Sequence, residues 1–132
     1  MNITGFYPMI ATADADSIVK VFEEMGFEIC HDFSGTTETD YRLVVMEDGS
    51  GHRVDIAEAG TEERDRILVR MNVDDFEAAY EILVRSGYVN TRGDKRVISG
   101  SAVEATMVSP SGQVISLIQH MKKPHRQNSP GA

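Results

Sequence analysis

The chain has 132 residues, enough for one domain that buries roughly two thirds of its unfolded surface without staples. Thirteen basic against twenty-one acidic residues leave a net charge of -8, which repels nucleic-acid phosphates and anionic lipid surfaces alike. The lone cysteine, Cys30, excludes an internal disulfide, no charged leader with an apolar core opens the chain, and no apolar run approaches the roughly 20 residues of a membrane span. A cytoplasmic, reduced protein with neither nucleic-acid nor membrane partners is the expectation.

In chain order, a lead-in over 1–5 precedes a strand that ends at Thr12. Its alternation sets Phe6, Pro8, Ile10 and Thr12 against Tyr7, Met9 and Ala11. Pro8 lacks a backbone donor, which predicts an edge strand or one paired through the Pro8 carbonyl alone. Asp14-Ala15-Asp16 reads as a turn and cap. Ser17 to Met25 then reads as a helix stopped by Gly26, with Ile18, Val21, Phe22 and Met25 as its core stripe. Strands follow over Phe27–Phe33, Tyr41–Met46 and His52–Glu58, with a polar hairpin tip at 34–39. The last of these places Arg53, Asp55 and Ala57 opposite Val54 and Ile56.

A charged connector over 59–66 leads to a strand from Ile67, with Ile67, Val69, Met71 and Val73 facing a helix and Leu68, Arg70 and Asn72 facing away. Asp74-Asp75 caps a helix from Phe76 to Ser86 that packs Phe76, Ala79, Ile82 and Leu83, and Gly87 stops it. Strands are expected over Tyr88–Thr91, weakly, then over Ala102–Val108 and Gln113–His120; Arg92–Arg96 reads as a hairpin tip and Val97–Ser101 is ambiguous. From Lys122 to Ala132 the composition predicts a disordered tail.

The two halves repeat each other. At a shift of 61 residues Asp14 falls on Asp75, Phe22 on Leu83, Gly26 on Gly87 and Phe27 on Tyr88, and without insertion Met46 falls on Met107 and Gly51 on Gly112. Two copies are too few for a solenoid, so duplication inside one globular domain, residues 1–121, is the reading. Its halves are about 5–59 and 66–121, each strand, helix and three strands. The fold class is α+β, two tandem βαβββ modules whose curled mixed sheets form a shared cleft.

That plan, with aspartate-capped helices ending in Gly26-Phe27 and Gly87-Tyr88, resembles the vicinal oxygen chelate superfamily, which includes glyoxalase I, extradiol dioxygenases and bleomycin-resistance proteins. The resemblance implies four metal-ligand positions, on the first and last strand of each module. They fall here on Tyr7, Asp55, Leu68 and Ser116. Only Asp55 is a plausible ligand, and one carboxylate cannot hold a catalytic ion. The histidines, His31, His52, His120 and His125, share no ligand spacing and are expected in surface or packing roles, while Cys30 is expected as a small buried hydrophobe.

By alternation the cleft would present Tyr7, Met9, Arg53, Asp55, Leu68, Arg70, Asn72 and Ser116, a mixed surface suited to a small molecule. Asp55 and Arg70 either pair with each other or hold a ligand's amine and carboxylate. The reading is a metal-free ligand-binding protein, without cofactor or catalytic residue, similar to the bleomycin-resistance branch, where Pro8 matches a proline common at the start of the first strand. The acidic balance suits a cationic guest, and the resemblance implies a homodimer. The alternatives are a metal-dependent lyase, isomerase or dioxygenase, and a regulatory or structural dimer.

Overall fold

The computed structural model describes residues 1–33, 42–60 and 62–121. It divides into two compact units, Gly5–Arg70 and Met1–Thr4 with Met71–Ala132. The expected tail at 122–132, the hairpin tip at 34–39, His125 and the predicted strand start at Tyr41 lie outside the described residues.

The Gly5–Arg70 unit holds β1 (Ile3–Thr12) from Gly5 onward, α1 (Ala15–Glu24), β2 (Glu28–Phe33), β3 (Arg42–Glu47), β4 (Arg53–Glu58) and the opening of β5 (Arg66–Val73). Its strands run β2-β3-β4-β1-β5, with β1 parallel to β4 and the β2-β3 and β3-β4 pairs antiparallel. Pro8 therefore does not mark an edge strand. The β1-β4 ladder runs from Met9 to Thr12, so the missing donor of Pro8 falls just outside it.

Helix α1 starts earlier than the sequence suggested, because Asp14 is the cap: its carboxylate accepts from the Ser17 amide at 3.2 Å and the Ser17 hydroxyl at 2.6 Å. Its buried face is Ala15, Ile18, Val19 and Phe22, packed on Val44, Met46, Val54 and Ile56 with Ile10 and Phe27. Val21 and Met25, expected in the core, are 58% and 75% exposed. At 100° per residue they sit roughly a quarter turn off the centre of that face. Cys30 is also exposed rather than buried, at the irregular point of the β2-β3 register between Ile29 and His31.

The second unit carries α2 (Phe76–Arg85), β6 (Val89–Asn90), β7 (Val97–Ser99), β8 (Ala102–Val108) and β9 (Val114–His120). β6, β7 and β9 all pair antiparallel with β8. The weak strand expected at Tyr88–Thr91 is thus only two residues long, and the ambiguous stretch after Arg96 supplies a further short strand on the same neighbour. Helix α2 packs Phe76, Ala79, Tyr80 and Leu83 on Ala105, Met107, Ile115 and Leu117. Ile82, expected inside, is 44% exposed. The lead-in is fixed here: the Asn2 amide and side chain donate to Asp74 at 2.7 and 3.0 Å, and the Asp74 amide donates to the Asn2 carbonyl at 3.1 Å.

The 61-residue register recurs in local geometry that apolar patterning alone does not specify. The Ala15 amide donates to the Glu58 carboxylate at 2.9 Å, and the Phe76 amide donates to the Gln119 side-chain carbonyl at 2.8 Å. The Phe27 amide closes on Phe22, and Tyr88 on Leu83, each at 2.9 Å. Gly26 and Gly87 stop the two helices at φ of 104° and 97°, a region that side chains rarely enter. Helix and sheet pack together in each unit, and the fold is α+β.

Candidate functional site

The chemistry-bearing cluster lies on β4 and β1. Alternation along β4 turns Val54 and Ile56 into the apolar core and Arg53 and Asp55 to the other face. Residues two apart on a strand share a face, so the Arg53 guanidinium folds over the Asp55 carboxylate as a fork: Nε donates to Oδ1 at 2.9 Å and Nη2 to Oδ2 at 3.3 Å. Asp55 is 0% exposed, and the Arg53 side chain retains 33%. The ladder sets Met9 beside Asp55, which brings Tyr7 to the same face, and the Arg53 guanidinium stands 4.0 Å over the Tyr7 ring.

Arg70 on β5 is buried. Its Nη1 lies 3.8 Å from the Met9 sulfur, and it is also a hydrogen-bond partner of the Tyr7 hydroxyl. The Tyr7 phenol is pushed up from its ordinary value, first by burial and next by the Asp55 carboxylate, with Arg53 and Arg70 pulling the other way. Burial alone would lower Arg53, but its hydrogen bonds and charge interaction with Asp55 outweigh that and raise it. The ion pair of this face is therefore Arg53–Asp55, where the sequence had offered Arg70 as the partner of Asp55. A tertiary partner from β5 loses to a neighbour on the same strand whose reach is guaranteed by the backbone.

Of the sequence-derived candidates, Tyr7, Met9, Arg53, Asp55, Leu68 and Arg70 belong to one unit, and Leu68 is a buried apolar side chain of β5. Asn72 and Ser116 belong to the other unit, where Ser116 is buried on β9 opposite Thr106. Among the described residues His31 stacks on Phe33, and the His52 Nδ1 contacts Asp48 at 2.8 Å with its side chain 73% exposed.

A divalent metal does not fit the positions the resemblance assigned to it. Leu68 has no donor atom, and both oxygens of Asp55 already accept from a guanidinium whose charge would repel a cation. Among the described residues no group of three or more His, Cys, Asp or Glu side chains is placed to hold an ion.

Sequence reasoning missed a cavity of about 790 Å³ in the same unit. Phe6, Ile10, Phe22, Phe27, Val54 and Ile67 form its apolar lining, and Glu47, His52, Arg53 and Tyr7 its polar end. Arg53 and Tyr7 thus border both the cavity and the ion-pair face; Met9, Asp55 and Arg70 do not line it. In sequence Phe22 belongs to the helix core stripe and Phe27 to the start of a strand, so neither signals an opening.

This arrangement defines a class of protein: the chain adopts the vicinal oxygen chelate fold. Solved structures that match it include a methylmalonyl-CoA epimerase from Mycobacterium tuberculosis, 16% identical over 96% of this chain and 93% of that one, TM-score 0.66. A glyoxalase/bleomycin resistance protein/dioxygenase superfamily member from Vibrio splendidus is 14% identical over 89% and 99%, TM-score 0.60. Glyoxalase I from Zea mays is 14% identical over 92% of this chain, which spans 44% of that one, TM-score 0.67. No family model and no curated protein matches the sequence. Likeness at such identities extends to the fold and stops there.

Proposed function

We propose that the protein is a metal-free small-molecule-binding member of this fold. The observation that carries the reading is the Arg53–Asp55 fork: the one plausible metal ligand is fully buried and neutralised by a guanidinium on its own strand. In place of a Lewis acid, the face offers a partly exposed guanidinium stacked on a phenol ring, a surface that orients a small organic molecule by hydrogen bonds and ring contact. Protein purified without chelator should carry far less than one equivalent of zinc, nickel, manganese or iron by elemental analysis. One equivalent of any of these, lost on Asp55→Ala, would overturn the reading.

A second reading, a divalent-metal-dependent lyase, isomerase or dioxygenase, draws on the matched structures, which include a methylmalonyl-CoA epimerase, glyoxalase I and a glyoxalase/bleomycin resistance protein/dioxygenase superfamily member. Turnover that a chelator abolishes and an added divalent metal restores would select it. We also propose a homodimer, as superfamily resemblance implies; a monomer mass by light scattering at micromolar concentration would rule it out.

A further inference from the structure

We propose that the aromatic cavity of the Gly5–Arg70 unit is a binding site for an organic monocation, an apolar or aromatic amine whose ammonium group meets Glu47. The inference rests on the small-molecule reading above and deepens it by giving that molecule a charge and a place. The cavity's volume, about 790 Å³, falls in the range of roughly 300–1,000 Å³ typical of small-molecule pockets. Its floor is made by Ile10, Val54 and an edge-to-face pair, Phe22 and Phe27, with ring centroids 5.2 Å apart. Phe6 and Ile67, 63% and 77% exposed, form the lip.

The charge at the polar end selects the guest. Arg53 has spent two of its donors on the buried Asp55, and the His52 Nδ1 is engaged by Asp48. Glu47 stands in the sheet between Glu28, directly opposite across the β2-β3 ladder, and Arg53, directly opposite across the β3-β4 ladder, whose guanidinium it also helps to keep charged. Two carboxylates facing each other across a strand pair repel. One guanidinium therefore serves three carboxylates, Glu28, Glu47 and Asp55, and the net charge beside the apolar floor is negative. A cation placed there gains the Glu47 contact, relieves the Glu28–Glu47 repulsion and lies among π faces that favour positive charge. The same acidic end disfavours a second copy of this chain as occupant. A two-fold contact centred on the groove would bring another Glu28–Glu47 pair toward the first, between molecules that each carry -8.

Three probes of one shape and different charge test this: 4-phenylbutylamine, 4-phenylbutanol and 4-phenylbutyrate, titrated into the full chain by calorimetry and by backbone amide NMR. The amine should bind about ten-fold tighter than the alcohol at low salt. Its shifts should centre on Phe22, Phe27 and Glu47, and Glu47→Gln should erase the preference while leaving alcohol binding intact. Phe27→Leu should weaken amine and alcohol together. Equal binding of amine and alcohol, or tighter binding of the carboxylate, would overturn the proposal. So would the absence of amine binding, whatever the mass of the protein in solution. Shifts confined to Met9, Asp55 and Arg70 would refute this site while leaving the small-molecule reading standing.

Discussion

At the scale of single residues, the decisive choice is which arginine neutralises Asp55. A fully buried carboxylate left alone is costly enough that its partner is a stability determinant before it is anything else. Arg53→Ala should therefore cost about 3 kcal/mol in urea unfolding at pH 7, and Arg53→Ala/Asp55→Ala together should cost less than Arg53→Ala alone, since the double variant leaves no orphaned charge. A cost below about 1 kcal/mol for the single change would mean that Asp55 is held by something else. Tyr7 gives the pH counterpart. Its phenol titrates above the ordinary value in the folded protein, so the unfolded chain loses that proton first as pH rises. Its stabilising contribution is complete below about pH 10 and fades as the pH climbs through the raised folded value. Phenolate absorbance should show a late component that Tyr7→Phe removes.

At the scale of elements, features matched at the 61-residue shift serve as controls for one another. Glu58 and Gln119 both accept from the first amide of a helix, one as a carboxylate and one as an amide. Because the second half works with the neutral group, Glu58→Gln should change stability by no more than about 0.5 kcal/mol, whereas Glu58→Ala should cost about 1 kcal/mol through the orphaned amide. The glycine stops differ in a testable way too. Both have positive φ, but a Cβ on Gly26 meets nothing within 4 Å, while one on Gly87 lies 3.0 Å from the Pro110 ring. Gly26→Ala should cost about 1 kcal/mol and Gly87→Ala clearly more, by thermal unfolding.

The local features matched at the 61-residue shift were legible in sequence because capping aspartates, helix-stopping glycines and fully buried methionines are set by local geometry. The helix faces were legible only in part. Ala15 is small and Tyr80 is polar at its tip, so hydropathy gave their places to Val21, Met25 and Ile82, which are larger but face outward. The ion pair of Asp55 and the cavity were not legible. Alternation says which residues share a face, but whether Arg53 or Arg70 reaches Asp55, and whether Phe22 and Phe27 close on the sheet or leave a hollow, depends on tertiary distances.

At the scale of the whole molecule, the charge excess of the full chain sets how it responds to salt. A chain with -8 repels itself in the compact state, and screening shortens the reach of that repulsion from about 30 Å at 0.01 M salt to about 8 Å at 0.15 M. Salt should therefore stabilise this protein: Tm should rise by a few degrees between 10 and 150 mM sodium chloride at pH 7.5, opposite to what a fold held by surface ion pairs would do. Screened ion pairs such as Arg42–Asp32 and Arg96–Glu77 work against the rise, so its sign decides which effect is larger. The Glu28–Glu47 pair localises part of the effect. Glu28→Gln should add a few tenths of a kcal/mol at low salt and flatten the salt dependence. If Tm instead falls with salt, attraction between surface charges outweighs the net repulsion. The acidic excess would then be a set of local pairs rather than a field that draws in a cationic guest.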